Sequence, residues 1–167
     1  MQPHNKINDN HETRIKIEGL RRSAEWTDET EALALEWKEK AEKASIVHNG
    51  AGLSNKYKHI ITGLPVIIIP SIFAPLTAAL GSGSPGIEYV SMVGFITTGI
   101  MGGINGLFGF NQNHQRHMDF SARYSDIASD IQYELLKQRN HRNIPPDQFL
   151  MRVQMKMDNL NAQAPNL

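Results

Sequence analysis

Two histidines come nearest, among the side chains of this chain, to the spacing of a metal site. His114 and His117 are three positions apart, so both imidazoles would lie on one face of a helix, where they could bind one zinc ion. Only Asp119 supplies a carboxylate nearby, and the chain has no cysteine, which excludes thiolate ligands, disulfides and cysteine nucleophiles. We therefore expect no metal here, and we assign both histidines to a segment boundary or to a contact between helices.

A glycine-rich segment from Gly81 to Gly86 matches the pattern G-x-G-x-x-G of phosphate-binding loops. That function requires a strand before the segment and a helix N-terminus after it, since backbone amides hold the phosphate. Apolar stretches flank the segment on both sides, and we interpret it as a turn between them. With no activated nucleophile, carboxylate pair or phosphate loop, the sequence predicts a protein that is not an enzyme and holds no cofactor.

The elements on either side of this turn are long, apolar and uncharged. No Lys or Arg lies between Lys58 and Arg116, and Glu88 is the only acidic residue in that interval. The apolar stretches 60–80 and 89–110 contain 21 and 22 residues, and a helix of roughly 20 residues crosses a bilayer core about 30 Å thick. We predict two transmembrane helices; the alternative is a buried helical hairpin in a soluble bundle. The mean hydropathy of −0.38 resembles that of a soluble protein because polar flanks dilute the apolar middle.

Three prolines recur every five residues in the first span, at Pro65, Pro70 and Pro75. Each proline removes a backbone donor, and its ring clashes with the preceding turn. Membrane helices tolerate such residues better than soluble helices do. The pattern predicts a kinked or partly unwound span. Either the kink has no special role, or the break is re-entrant or lines a pore.

Four glycines in the second span share one helix face. Such a face lets another backbone approach closely, because glycine has no Cβ. The partner is either the first span of the same chain or the span of another copy. Asn105 belongs to a polar line beside this face that could hydrogen-bond between helices or line a pore. The glycines are Gly99, Gly102, Gly103 and Gly106, and the polar line consists of Thr98, Asn105 and Gln112.

Amphipathic segments flank the two spans. The segments 26–58 and 114–142 carry apolar residues at three-and-four spacing, which predicts two cytosolic helices that pair as an antiparallel coiled hairpin. This spacing also places Val47 on the apolar stripe of the first arm. Residues 143–167 contain a short amphipathic helix, and residues 1–25 are expected to form a mobile tail. The contact residues expected between the arms are Leu33, Trp37, Ala44 and His48 on the first, and Tyr124, Ile127 and Ile131 on the second.

Basic residues are distributed unevenly around the spans. Ten Lys and Arg precede the first span, seven follow the second, and the turn 81–88 has none. The positive-inside rule therefore predicts an integral membrane protein with both termini in the cytosol, or on the equivalent side of a viral membrane. The formal net charge is zero, which argues against nucleic acid as a partner. The predicted fold is all-α: a two-span transmembrane helical hairpin over 59–113, extended by an antiparallel cytosolic coiled hairpin and a short C-terminal amphipathic helix.

The order of these elements resembles a known family. A helix with Trp37 and His48 leads through Tyr57 into a Pro-rich span, a Gly-rich span follows, and the second arm carries the pattern His117-x-x-x-Ser121-x-x-Tyr124-x-x-Ile127-x-x-x-Ile131. Over residues 26–160 this arrangement resembles the SLATT family, the two-span membrane effectors of bacterial nucleotide-signal defence systems. It is also similar to uncharacterised two-span membrane proteins of large DNA viruses.

The resemblance implies a protein that oligomerises and perturbs membranes as a pore-forming effector. No nucleotide sensor is recognisable in this sequence, so the triggering half is either absent or lies on a partner. The second hypothesis is a structural or scaffolding membrane protein, for instance of a viral inner membrane or a capsid–membrane junction. The expected partners are the lipid bilayer, further copies of the chain, and either a signalling protein or a capsid protein.

Overall fold

The computed structural model of the protein describes residues 25–80 and 85–166, and in these residues it contains helices and no strand. The all-α class is thereby confirmed. The expected mobile tail lies outside the described residues except for Glu25, and so does most of the glycine-rich turn. The helices are α1 (Asp28–Leu80), α2 (Pro85–Phe108), α3 (Phe110–Leu136) and α4 (Pro146–Gln163), with one 3₁₀ turn (Arg139–His141) between α3 and α4.

The described residues form two compact units. Unit 1 consists of residues 25–48 and 119–166, and unit 2 consists of residues 49–80 and 85–118. Segments of α1 and α3 belong to both units. The boundaries predicted between arm and span, near residues 58 and 114, therefore fall inside unit 2 and within helices.

Helix α1 begins with reciprocal hydrogen bonds between two threonines. The backbone N–H of Thr27 donates to Oγ1 of Thr30 at 2.9 Å, and the N–H of Thr30 donates to Oγ1 of Thr27 at 3.3 Å. These bonds satisfy donors that would otherwise have no partner at a helix N-terminus. Asp28, Glu29 and Glu31 add negative charge in the first turn, where the helix dipole stabilises it.

The core of unit 1 is formed by one face each of α1, α3 and α4. Buried residues recur every three or four positions along these helices, as one face of an α-helix requires. Val47, expected on this stripe, is instead 48% exposed, because His48 occupies the buried position of that turn. The buried apolar side chains are Trp26, Leu33, Ala34, Trp37, Ala41, Phe120, Tyr124, Ile127, Ala128, Ile131, Phe149, Leu150, Val153 and Leu160.

Contacts between α1 and α3 in unit 1 run in opposite order along the two helices. Near the start of α1, Glu31 forms an ion pair with Arg142, which follows α3. Further along α1, the carbonyl oxygen of Ser45 accepts a hydrogen bond of 2.9 Å from the hydroxyl of Ser121, in the first half of α3. The two serine hydroxyls also lie 3.1 Å apart, so small polar side chains mark this contact.

In unit 2, α1 and α2 provide helices that are long and apolar enough to cross a membrane. No residue in the most apolar 18-residue stretch of α1 is buried, and only 6% of the corresponding stretch within residues 86–136 is buried. The core helices of a soluble protein are largely buried, so this exposure argues against the alternative of a soluble bundle.

Helix α1 continues through Pro65, Pro70 and Pro75 without interruption. The partial unwinding that the sequence suggests for this span is therefore not observed. Each proline removes one backbone hydrogen bond, and the bonds on either side maintain the helix. Polar side chains between the prolines are satisfied within the helix itself: the hydroxyl of Ser71 donates to the carbonyl oxygen of Ile67 at 2.6 Å.

Gly109 interrupts a segment that the sequence predicts to run unbroken from the second span into the second arm. Its φ is 54°, in the left-handed region that glycine adopts without steric cost. Its N–H still donates to the carbonyl oxygen of Asn105 at 3.1 Å, and Nδ2 of Asn113 donates to the carbonyl oxygen of Phe108 at 3.0 Å. One residue thus ends α2 at Phe108 and lets α3 begin at Phe110.

Candidate functional site

The arm residues predicted from the sequence lie together in the core of unit 1. Leu33, Trp37, Tyr124, Ile127 and Ile131 belong to the buried apolar cluster, and Ala44 packs half-buried against it. His48 is 5% exposed. The idea that this core brings several copies of the chain together stays a prediction.

The ring of His48 lies in an aromatic stack within this core. It lies nearly parallel to the ring of Tyr124, with centroids 5.6 Å apart and planes 11° apart, and 5.8 Å from the ring of Phe120. The hydroxyl of Tyr124 donates to Oδ1 of Asn161 at 2.6 Å, and burial raises the pKa of this hydroxyl above its usual value. The stack therefore connects α1, α3 and α4 in a single contact.

A charged cluster that sequence reasoning missed lies at the start of α1. Nε and Nη2 of Arg139 donate to the two carboxylate oxygens of Glu31 at 2.7 and 2.9 Å, a bidentate ion pair. Nη1 of Arg142 donates to Oε1 of the same carboxylate at 2.7 Å, and Arg139 also pairs with Asp28. Hydrogen bonds from these guanidinium groups, that of Arg139 above all, lower the pKa of Glu31 from 4.5 to about 2.

Arg142 has further partners in the same place. Its side chain is 4% exposed, and its guanidinium lies 4.5 Å from the ring centroid of Trp26. Its Nη2 and Nε donate to the carbonyl oxygens of Leu135 and Lys137 at 3.0 and 3.1 Å, so Arg142 satisfies acceptors at the C-terminal end of α3. The Trp26 ring also lies 5.6 Å from that of Phe149 on α4.

Glu134 is a buried carboxylate with one oxygen unsatisfied. The residue is 4% exposed, and its Oε2 accepts a hydrogen bond of 2.7 Å from Nζ of Lys137. Its Oε1 has no hydrogen-bond partner among the residues that the structure describes. Sequence reasoning missed this residue too, because glutamate on a helix is usually exposed.

The glycines of α2 divide into open and closely packed positions. A Cβ added at Gly99, Gly103 or Gly106 would have no heavy atom within 4 Å, and one at Gly102 would lie 3.8 Å from Val66. Of the predicted face, only Gly102 therefore contacts α1 of the same chain. The closer approach within the chain occurs at Gly94, which the sequence analysis did not single out: a Cβ there would lie 3.1 Å from Ile69 and 3.4 Å from Phe73.

The polar line beside the glycine face makes one contact between helices and one within its own helix. Oδ1 of Asn105 accepts a hydrogen bond of 3.0 Å from Nδ1 of His59 on α1. The hydroxyl of Thr98 donates to the carbonyl oxygen of Gly94 at 2.8 Å, one turn earlier in α2. Asn105 thus contributes a contact between α1 and α2, as the sequence suggests it could, whereas Thr98 bonds to its own backbone.

Of the two histidines of α3, His114 contacts another helix and His117 is buried. The Nδ1–H of His114 donates to the carbonyl oxygen of Gly52 at 2.9 Å, which joins α3 to α1 within unit 2. His117 is 5% exposed, and burial lowers the pKa of its imidazole below 6.5. Over residues 25–80 and 85–166, no group of three or more His, Asp and Glu side chains is placed to hold a metal ion.

Comparison with models of protein families, with curated proteins and with solved structures finds no match to this chain. The resemblance to the SLATT family and to viral two-span proteins therefore stays a prediction.

Proposed function

We propose that the chain is a self-associating integral membrane protein that perturbs the bilayer as an effector. The observation that carries this proposal is the exposure of large apolar side chains along the apolar helices. Ile61 is 66% exposed, Ile67 is 67% exposed and Leu107 is 87% exposed. Transfer of such a side chain from water to an apolar environment stabilises a protein by about 1.5–3 kcal/mol, and soluble monomers rarely expose long patches of them. A bilayer would remove them all from water.

The arrangement that we propose is a two-span hairpin with both termini in the cytosol. Its support is the distribution of Lys and Arg, which flank the spans and are absent from the turn 81–88. In unit 1, the contacts that run in opposite order along α1 and α3 support an antiparallel cytosolic arm. The buried face of α4 supports an amphipathic helix that packs against this arm.

Self-association would use the open glycine face of α2. Gly99 and Gly103 are four residues apart on one face, and neither has a neighbour within 4 Å of an added Cβ. Their backbone is therefore accessible to a helix of another copy. In a bilayer, close contact of this kind favours association, because lipid tails are as apolar as leucine side chains and burial alone gives no advantage.

The membrane perturbation that we propose does not involve charged groups within the bilayer. The spans 60–80 and 89–110 contain no Asp, Glu, Lys, Arg or His, whereas proton and ion pumps place such residues inside the membrane. A pore formed by assembled hairpins would be lined by apolar groups, hydroxyls, amides and backbone. A signalling protein would supply the trigger.

Dye release from liposomes tests the effector function. Wild-type protein reconstituted into dye-loaded liposomes should release dye, and Gly103→Leu should abolish release because a side chain prevents close helix contact. Gly86→Leu is the matched control, since Gly86 lies in the same helix, outside the glycine face, with no neighbour within 4 Å. Stable wild-type oligomers that release no dye would instead favour the structural role at a viral inner membrane or capsid–membrane junction.

Insertion and topology are tested separately. The protein should stay in the membrane pellet after extraction at alkaline pH. Single cysteines introduced at Ser84 and Ser125 should react with an impermeant reagent from opposite faces of sealed vesicles. Labelling of both positions from one face would contradict the hairpin, and release into the supernatant would contradict membrane insertion.

A further inference from the structure

A groove of about 630 Å³ lies between α1 and α2 in unit 2. Its polar end includes His59 and Asn105, which are joined by their hydrogen bond of 3.0 Å. Its apolar end includes Val66 and Ile67. The volume lies in the range of about 300–1,000 Å³ that is typical of small-molecule sites.

Glycines create this space. Gly63 and Gly102 line the groove, and a Cβ added at either would have its nearest neighbour at 3.8 Å. Gly106 also lines the groove, and nothing lies within 4 Å of a Cβ added there. Larger side chains at these positions would occupy the space that the backbone now leaves open.

The polar end of the groove offers hydrogen-bond donors. Oδ1 of Asn105 is engaged by His59, and Nδ2 of Asn105 is the atom nearest to a Cβ added at Gly63, at 3.8 Å. This amide nitrogen carries two N–H donors and lies beside Gly63, which lines the groove. Acceptor oxygens, such as those of an ester or a phosphate, would complement them.

The polarity of the groove changes along the direction of the span. His59 lies one residue before the apolar stretch 60–80, and Ile67 lies eight residues further along α1, a helical rise of about 12 Å. In an inserted hairpin, the polar end would therefore lie at the headgroup level, and the apolar end would lie within the hydrocarbon. A phospholipid has the same order of polar and apolar parts.

The change of polarity along the groove favours a lipid over a second copy of the chain, because the two ends of a lipid differ in polarity in the same order. The open face at Gly99 and Gly103 does not line the groove and stays available for contact between copies.

We propose that the groove binds one phospholipid molecule, with its ester or phosphate oxygens at Asn105 and His59 and one acyl chain beside Gly102 and Val66. This inference rests on the proposed insertion into a membrane. It is independent of the effector function and of the face through which copies associate.

Photocrosslinking tests the lipid site. Full-length protein is reconstituted into phosphatidylcholine nanodiscs that contain a small fraction of phosphatidylcholine with a diazirine on one acyl chain, and the adducts are mapped by mass spectrometry. Adducts should concentrate at Val66, and Gly102→Leu or Gly63→Leu should reduce them at least fivefold. Gly86→Leu is the matched control, because Gly86 lies in the same helix as Gly102, outside the groove and outside the glycine face, and its substitution should leave the adducts unchanged.

Three outcomes would overturn the inference. Adducts spread evenly over groove residues and lipid-facing residues such as Ile68 would indicate bulk lipid only. A photoreactive residue placed at Val66 that crosslinks to a second copy of the chain would show that a protein helix occupies the groove. Loss of the protein from membranes during alkaline extraction would contradict membrane insertion, on which the lipid site rests. A protein that stays in the membrane but shows no preferred adduct would contradict the lipid site alone. Circular dichroism of each variant shows whether helix content is kept.

Discussion

Replacement of Glu31 by Gln removes the charge to which Arg139 and Arg142 donate and keeps the size of the side chain. The pKa of Glu31 is lowered from 4.5 to about 2 in the folded protein. Over the pH interval between these two values, the carboxylate of Glu31 therefore binds a proton in the unfolded chain but not in the folded protein. Stability therefore rises with pH across the interval. The contribution of Glu31 is complete above about pH 5 and is lost as the pH falls toward 2.

The magnitude follows from the size of the pKa shift and from the exposure of the pair. A shift from 4.5 to about 2 corresponds to roughly 3 kcal/mol, at about 1.4 kcal/mol per pKa unit. The side chains of Glu31 and Arg139 are 25% and 48% exposed, so solvent screens the interaction. We expect Glu31→Gln to lower the free energy of unfolding by about 1–2 kcal/mol at pH 7. As the pH falls toward 2, the free energy of unfolding should decrease less in this variant than in wild type.

Tryptophan fluorescence during urea unfolding in detergent micelles measures this effect. The chain has two tryptophans, Trp26 and Trp37, and both are buried in unit 1. Glu39→Gln is the control, because Glu39 and its partner Lys43 are 64% and 71% exposed, and its urea midpoint should match that of wild type. If Glu31→Gln and wild type lose stability in parallel between pH 5 and pH 2, the carboxylate of Glu31 is not the group responsible.

Three further predictions concern the core, the glycine face and the helix junction. Trp37→Ala should lower the free energy of unfolding by about 3–5 kcal/mol, because Trp37 is 3% exposed, and an unchanged urea midpoint would contradict its packing role. Gly103→Leu should leave helix content unchanged and weaken association in micelles at least tenfold, measured by dilution of fluorophore-labelled protein; unchanged association would mean that this face contacts lipid. Gly109→Ala should destabilise the protein by about 1–2 kcal/mol, because the φ of Gly109 is 54°. Differential scanning calorimetry measures this loss, and Gly106→Ala is the control because the φ of Gly106 is not positive.

The apolar helices and the buried stripes could be predicted from the sequence because their signals are local. The absence of charge between Lys58 and Arg116 depends on residue type alone, and the spacing of Leu33, Trp37 and Ile131 follows from the geometry of one helix. These patterns do not depend on which other segment lies nearby. The sequence therefore indicated the helical class and the central contacts between α1 and α3 in the core of unit 1, at Leu33, Trp37, Tyr124, Ile127 and Ile131.

Features that depend on distant residues could not be predicted. Glu31 and Arg139 are 108 positions apart, and no local pattern distinguishes them from other surface charges. His48 is predicted at the contact between the arms, but the exposure of Val47 beside it depends on the aromatic rings that α3 supplies to His48. Gly109 lies in a glycine-rich span where several glycines fit a helix, so its positive φ has no sequence signal of its own.

One carboxylate oxygen of the buried Glu134 has no hydrogen-bond partner among the described residues, and burial of such an oxygen opposes folding. Burial of a carboxylate with only one hydrogen-bonded oxygen lowers the free energy of unfolding. Replacement of buried ionic groups by apolar side chains of similar size is often neutral or stabilising. Natural selection maintains a threshold of stability and does not maximise it, so such positions persist. Apolar substitution of Glu134 together with Lys137, whose Nζ donates to it, is therefore expected to keep or raise the melting temperature of the protein.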